Sequence, residues 1–377
     1  MNSTQMKIVY VIPVLGYGGA ETQLFLLAKR MLSYGHSVTI IQALHCSPEF
    51  ISQYTELGIE VISLGMKKSL PNPLLLIKLR REFKQLQPDL IHSHIAQANI
   101  LARIANWRKY PLICTAHSSG EKGRINIKML YKYTDALSHW NTNVSLAAVD
   151  RYVELGLFSS ERSDYVPNGV DTVHFSSANK DSNPAVFKKP FADPSKFTFL
   201  AIGRFVTAKN FPLMLRSIAK VDANLLVCGE GPLEADFKLL VTALEIDDRV
   251  VFVETMPDVR PLYKSADAFI MSSTWEGLPM VLLEAMAMSL PVVSTNVSGA
   301  STLFTDGLAG KLVFSFAVED YAKALSEMIL LPANELTKMG HHGRRKVVHE
   351  FSIDKVSQIW IAKYQHIIKI TQPNRAQ

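Results

Sequence analysis

The sequence predicts an α/β protein of two doubly wound domains, each a parallel sheet with helices on both faces. Three observations carry this. Strand-like runs alternate with helix-like stretches along the chain. The runs are rich in Val, Ile and Leu instead of alternating with polar residues, as expected of parallel strands covered on both sides. The series halts at residues 176–196, a Ser/Asn/Asp/Lys/Pro-rich stretch without periodicity, and then begins again. A length of 377 residues is also more than one ordinary core organises.

The first series has strand-like runs over 7–12, 37–43, 59–64, 90–92 and 112–116, with helical patterns over 21–32 and 73–85 between them. It defines an N-terminal domain over 1–180. The second series has runs over 197–202, 224–228, 250–253, 268–271 and 291–294, and defines a C-terminal domain over 190–352. Residues 353–370 form a last helical stretch. The apolar start, Met6 to Pro13, leads into a Gly-rich turn and an amphipathic helix, which reads as a buried first strand and not a signal peptide.

Apolar residues make up 48% of the chain and charged residues 20%, the balance of a soluble globular protein. No apolar run approaches the roughly 18 residues a membrane span requires. Cys46, Cys114 and Cys228 show no Cys-x-x-Cys spacing, and two of them lie in apolar runs; this points to reduced thiols in a cytoplasmic protein, without disulfide or zinc site. The net charge of +6 is concentrated in the first half, where Lys78, Arg80, Arg81 and Lys84 form one cluster and Lys122, Arg124, Lys128 and Lys132 another. Such runs are either solvated helix faces or a means of attracting an anionic lipid surface or acceptor. No nucleic-acid partner is expected, because no aromatic-rich basic sheet or reading motif accompanies the charge.

The strongest chemical signal is a pair of acids, Glu276 and Glu284. Glu276 precedes Gly277, Leu278 and Pro279 and so belongs to a loop; Pro279 suits the first turn of a helix over 280–288. Glu284 is the sole charge on that apolar helix and needs a partner if buried. The pair can grip two hydroxylated parts of one ligand, with the helix-start N–H groups of Met280 and Val281 between them facing a phosphate. The plainer alternative is a turn cap and a side chain reaching water.

Other candidates end strands, where ligands of doubly wound sheets bind. Gly203, Arg204 and Lys209 follow the first run of the second series, where two cations suit a diphosphate. Glu230 and Gly231 close the next run with a turn suited to a nucleoside. In the first domain, Gly16-Tyr17-Gly18-Gly19-Ala20-Glu21 nearly spells the dinucleotide fingerprint, but Glu21 replaces its third Gly and no acid ends the second strand, so a nicotinamide cofactor is not expected. His94 and His117 each stand at a strand end in separate segments. Without a short ligand spacing they are read as neutral imidazoles, His117 donating to a ligand oxygen, and not as metal ligands.

Taken in order, Gly18-Gly19-Ala20-Glu21, Ile91-His92-Ser93-His94, His117, Pro167-Asn168-Gly169-Val170-Asp171, Gly203-Arg204 with Lys209, Gly229-Glu230-Gly231-Pro232, and the Glu-x7-Glu element from Glu276 to Glu284 resemble retaining glycosyltransferases of family 4. The resemblance spans nearly the whole chain. It implies the GT-B architecture, two Rossmann-like domains facing across a cleft, with the C-terminal helix closing back over the first. It also implies roles. Arg204 and Lys209 bind the donor diphosphate, Glu284 the ribose, and Glu276 the donor sugar. The Gly277–Val281 backbone lies near sugar and phosphate, and Gly18 and Gly19 approach the phosphate from the first domain. His117 touches the sugar and Asn168 lines the cleft. One departure is visible over 297–302, where Ser298, Ser301 and Thr302 replace the Gly, Pro and Glu of many relatives.

The implied donor is a nucleotide-diphosphate sugar. The implied acceptor is a glycan or polyprenyl-linked sugar used in surface polysaccharide synthesis, on the cytoplasmic side and with possible peripheral docking to an anionic membrane through residues 74–83. That segment is equally an amphipathic helix on its own sheet. No Asp-x-Asp triplet occurs, so no metal or other cofactor is expected. Three alternatives share the architecture: a sugar-nucleotide epimerase, a phosphorylase, and a non-catalytic nucleotide-sugar-binding subunit.

Overall fold

Thirteen parallel strands, in two sheets, account for the apolar runs among the described residues, 5–66, 73–118, 125–177, 187 and 190–371 of a computed structural model. The first sheet comprises β1 (Lys7–Ile12), β2 (Ser37–Leu44), β3 (Glu60–Met66), β4 (Leu90–His94), β5 (Leu112–Ala116), β6 (Trp140–Asn143) and β7 (Ser163–Tyr165), in the order β3-β2-β1-β4-β5-β6-β7. The second comprises β8 (Thr198–Ile202), β9 (Asn224–Cys228), β10 (Val250–Val253), β11 (Ala268–Met271), β12 (Val292–Thr295) and β13 (Gly310–Val313), in the order β10-β9-β8-β11-β12-β13. Both orders reverse beside the first strand of the series. Connections on either side of that strand leave in opposite directions, and a crevice opens at its carboxyl end.

The molecule divides into one unit of the residues up to Gly169 with those from Ile353, and a second unit from Val170 to Ser352. The boundary therefore falls earlier than the expected 180. Residues 170–176 join the second unit because its backbone and side chains hold them. Val170 N–H donates to the Phe351 carbonyl, and the Arg344 guanidinium donates to the carbonyls of Phe175 and Thr172. Most of the expected linker, residues 178–186, 188 and 189, lies outside the described residues, as do Lys122 and Arg124.

In the first unit, Tyr10, Ile12, Leu24, Leu27 and Ile40 pack with Val356, Trp360, Tyr364 and Ile367 of the helix Ile353–Thr371, which completes this core. Gly169 permits the close approach, since a Cβ there would lie 2.9 Å from the Ile353 Cα. On the sheet's other face, Leu75, Leu79 and Phe83 of the helix Pro73–Leu86 pack against Val9, Val11 and Ile91. The 74–83 segment is thus a helix seated on its own sheet, with Leu74 and Ile77 exposed on the opposite side. Three strands are not apparent as apolar runs: β6, β7 and β13 are short, and β6 reads Trp-Asn-Thr-Asn.

Candidate functional site

The second unit brings the loops after β8 and β11 together at its order reversal. The Lys209 ammonium donates to Glu276 Oε1 at 2.6 Å, and Ser273 Oγ donates to the same oxygen at 2.7 Å. Both charged side chains are largely shielded, with 23% and 15% of their surface exposed. The loops are also tied through their backbones. Thr274 N–H donates to the Ala208 carbonyl, and Ser272 Oγ lies within hydrogen-bonding distance of the carbonyls of Lys209 and Asn210. Asn210 adopts a left-handed conformation (φ +48°), which Asn tolerates better than most residues and which ends the short turn carrying Lys209. Arg204 is exposed, and its side chain makes no hydrogen bond or ion pair among the described residues. Its guanidinium is open to a ligand.

The helix after Glu276 runs Met280–Ala287. Pro279 sits one residue before its first turn, in extended conformation (φ −74°, ψ 114°), because its carbonyl accepts the first intrahelical bonds from Leu282 and Leu283. This corrects its expected place within the first turn. The N–H groups of Met280 and Val281 precede the first intrahelical donors and so have no intrahelical acceptor. The buried Gly277 and Leu278 precede Pro279, and the Ser298 hydroxyl donates to the Glu276 carbonyl at 3.1 Å. Gly299 lets this second segment approach, because any Cβ would collide with the Gly277 carbonyl and the Pro279 ring. The departure from the family pattern at Ser298 therefore supplies a brace to the Glu276 loop.

Glu284 is 8% exposed and has the partner its burial demands. Tyr263 OH lies 2.9 Å from its Oε2 and 3.1 Å from the Val281 carbonyl. Burial pushes the Glu284 carboxyl up to about 7, a shift the Tyr263 hydrogen bond only partly offsets. The Tyr263 hydroxyl is the donor to Glu284 Oε2, with the Val281 carbonyl as its alternative acceptor. Beside this site, Phe205 N–H donates to the Glu230 carbonyl at 2.8 Å, and Gly231 lies so near Phe205 that a Cβ would meet its N at 2.8 Å. The Gly229–Pro232 turn is thereby locked onto the Gly203–Phe205 segment.

In the first unit the order reversal is ringed by the turn after β1, the end of β4 and the end of β5. Gly18 caps the helix Gly19–Ser33, and the Glu21 side chain folds back over it, so a carboxylate already stands at this helix start. His94 and His117 are brought together, with Nδ1 of the first 3.0 Å from Nε2 of the second. Desolvation lowers both, His117 to about 4, so both rings are neutral. His92 is fixed on either side by Tyr364 OH at 2.7 Å and Thr115 Oγ1 at 2.6 Å. Asn168 is buried next to Gly169, whose N–H donates to Gln23 Oε1. Among the described residues no group of three or more His, Cys, Asp or Glu side chains is arranged to hold a metal, and no helix is long and apolar enough to cross a membrane.

Tyr263, Ser273, Ser298 and Gly299 were not apparent as site residues. Tyr263, Ser298 and Gly299 act on residues distant in sequence, and Ser273 on Glu276 three residues along.

Two Rossmann-like parallel-sheet units, with cations, paired acids and glycine turns at the strand ends, define a glycosyltransferase of the GT-B fold. Family models agree: that of the group 1 glycosyl transferases matches residues 182–346, and that of glycosyltransferase family 4 matches residues 17–174. The chain belongs to glycosyltransferase family 4. It is 26% identical, over 76% of its length and 78% of the relative's, to a UDP-Gal:alpha-D-GlcNAc-diphosphoundecaprenol alpha-1,3-galactosyltransferase of Escherichia coli. It is also 26% identical, over 94% and 97%, to a Campylobacter jejuni alpha-1,4-N-acetyl-D-galactosaminyltransferase acting on an undecaprenol-linked diphosphate glycan. The fold matches Anabaena HepE crystallised with UDP, with a TM-score of 0.84 at 19% identity, covering 96% of this chain and all of that one.

The Glu284 environment has a pH signature. Its folded carboxyl keeps the proton up to about pH 7, whereas the unfolded chain loses it near the ordinary 4.5. The native state binds more protons between these values, so stability falls as pH rises through them. Glu284→Gln removes this dependence. Its stability advantage over the natural chain is expected to grow by about 2–3 kcal/mol between pH 5 and 8, read from urea unfolding of the free protein. An advantage that stays constant with pH contradicts the assignment.

Proposed function

We propose that this chain is a retaining glycosyltransferase. It moves a sugar from a nucleotide-diphosphate sugar, with UDP the favoured nucleotide, to a hydroxyl of a glycan or polyprenyl-linked acceptor in cell-surface polysaccharide synthesis. The observation that carries this reading is the Lys209–Glu276 pair at the order reversal of the second sheet, beside the exposed Arg204 and the helix start at Met280. The nucleotide and the acceptor class are favoured by the activities of the E. coli and C. jejuni relatives and by the UDP in HepE.

Breaking a sugar–phosphate bond places positive charge on the sugar and negative charge on the departing diphosphate. Arg204, Lys209 and the N–H groups of Met280 and Val281 stabilise that negative charge. Each charge-assisted bond is worth about 1.5–3 kcal/mol. On donor binding, Lys209 exchanges Glu276 for a phosphate oxygen. Glu276 is then released to accept hydrogen bonds from sugar hydroxyls. Glu284 holds the ribose, and the Gly203, Glu230 and Gly231 segment bounds the nucleoside. From the first unit, His117 contacts the sugar, Gly18 and Gly19 the phosphate, and Asn168 the donor. The acceptor attacks from the face the diphosphate leaves, and the leaving phosphate takes its proton. No metal or other cofactor takes part. An epimerase would need acid and base groups about one sugar carbon, and a phosphorylase a site for inorganic phosphate; the relatives' activities favour transfer.

Arg204→Ala and Lys209→Ala are each expected to lower kcat by about 100-fold or more while circular dichroism stays native. The natural chain in the same assay is expected to keep full activity in excess EDTA. A natural rate in either variant removes the phosphate assignment, and loss of activity in EDTA removes the metal-free mechanism.

The enzyme's place is the cytoplasmic face of the membrane, held peripherally. The support is the exposed face of the helix Pro73–Leu86, where Leu74 and Ile77 stand beside exposed Lys78 and Arg81. Co-sedimentation with anionic vesicles at low salt is expected, with loss on Ile77→Glu. No binding to such vesicles contradicts the docking.

A further inference from the structure

The paired histidines of the first unit share one proton, and this fixes what His117 can offer a ligand. His94 Nδ1 and His117 Nε2 stand 3.0 Å apart, with rings stacked at 28°. At that distance one nitrogen donates and the other accepts. Both rings are neutral because burial lowers each, so each carries a single N–H. Choosing the donor of the shared bond therefore settles the two remaining nitrogens.

If His94 Nδ1–H donates, His94 Nε2 is bare and His117 keeps its proton on Nδ1. If His117 Nε2–H donates, His94 carries its proton on Nε2 and His117 Nδ1 is bare. Neither of these outer nitrogens has a hydrogen-bond partner in the described structure. Each arrangement thus leaves one N–H without an acceptor, and only its location differs. His94 is 1% exposed, its ring 4.1 Å from that of His92 and 5.8 Å from that of Tyr10. An N–H stranded there, enclosed by rings, is unpaired, a costly arrangement. His117 follows β5, and the residue is only partly buried. Its Nδ1 is shielded from bulk water, yet it stands at a strand end, where sheet ligands bind. An N–H left there is unpaired only until a ligand oxygen arrives.

We propose that His94 is a positioning residue for the transfer reaction: its Nδ1–H holds His117 Nε2, so that His117 presents Nδ1–H to a hydroxyl oxygen of the donor sugar. This rests on the reading of His117 as a sugar contact. His92, pinned between Tyr364 and Thr115, braces the face on which His94 stacks, which links the C-terminal helix to this pair. The consequence is a neutral, pre-aimed donor, with a tautomer chosen by a neighbour that never touches substrate.

Nitrogen NMR of the histidine-labelled protein tests the tautomer without any substrate. His117 signals are assigned by their loss in His117→Gln. A protonated Nδ1 and bare Nε2 are expected; a protonated Nε2 overturns the proposal. Kinetics then tests the role. His94→Asn places an amide nitrogen near the position of Nδ1 and still donates; His94→Gln places it near Nε2 and does not. His94→Asn is expected to stay within about threefold of the natural kcat, and His94→Gln to lose about tenfold or more in kcat with little change in KM. Equal rates in the two variants overturn the positioning role. An unchanged rate in His117→Ala removes the sugar contact itself, and a confirmed tautomer would then show that the sugar contact had failed and not the His94–His117 hydrogen bond.

Discussion

The ion pair between Lys209 and Glu276 is the constraint around which the second unit's site is arranged. It joins loops that leave two neighbouring strands, β8 and β11, at the place where the strand order reverses. With both side chains mostly shielded, each charge needs the other or a substitute. A ligand entering here must supply an anion for Lys209 and hydroxyl donors for Glu276. An activated sugar carries both, one on its diphosphate and one on its ring. The free chain thus holds these two charged groups in mutual compensation instead of leaving them bare.

The backbone around the pair is fixed by small residues and hydroxyls. Gly299 and Gly231 allow contacts a Cβ would prevent, and Ser272, Ser273, Thr274 and Ser298 bind the carbonyls and carboxylate of the loops. At the far end of the Glu284 helix, Arg344 donates to the Ala287 carbonyl as well as to Phe175, which ties that helix to the segment entering the unit. On the proposed reading, preorganisation of this kind puts charge where a diphosphate needs it, without rearrangement at the moment of reaction. In the first unit, burial keeps His92, His94 and His117 neutral, and His92 is held by the Tyr364 and Thr115 hydroxyls.

Strand runs built of Val, Ile and Leu announced most of both sheets. β6 escaped because Asn141, Thr142 and Asn143 are wholly buried yet polar. Their cost is met by partners far along the chain: Arg103 donates to Asn141 Oδ1 at 2.6 Å, the Thr142 hydroxyl pairs with that of Thr115, and Asn143 donates to the Ser118 carbonyl. No local pattern encodes such compensation. The same holds at the site. Glu276, Glu284, Arg204 and Lys209 stood out by residue type and spacing. That Lys209 faces Glu276 and not solvent, and that Tyr263 is the partner Glu284 required, depends on contacts 67 and 21 residues apart in sequence. Boundaries were least legible where segment 170–176 follows Arg344 and not its own composition.

A crystal structure of this chain with UDP tests the central claim most directly. The expected result is Lys209 Nζ moved off Glu276 and bonded to a diphosphate oxygen, with the phosphates at the Met280 helix start and Glu276 left open. A structure with UDP bound while Lys209 still grips Glu276, and the diphosphate away from that helix start, contradicts the account.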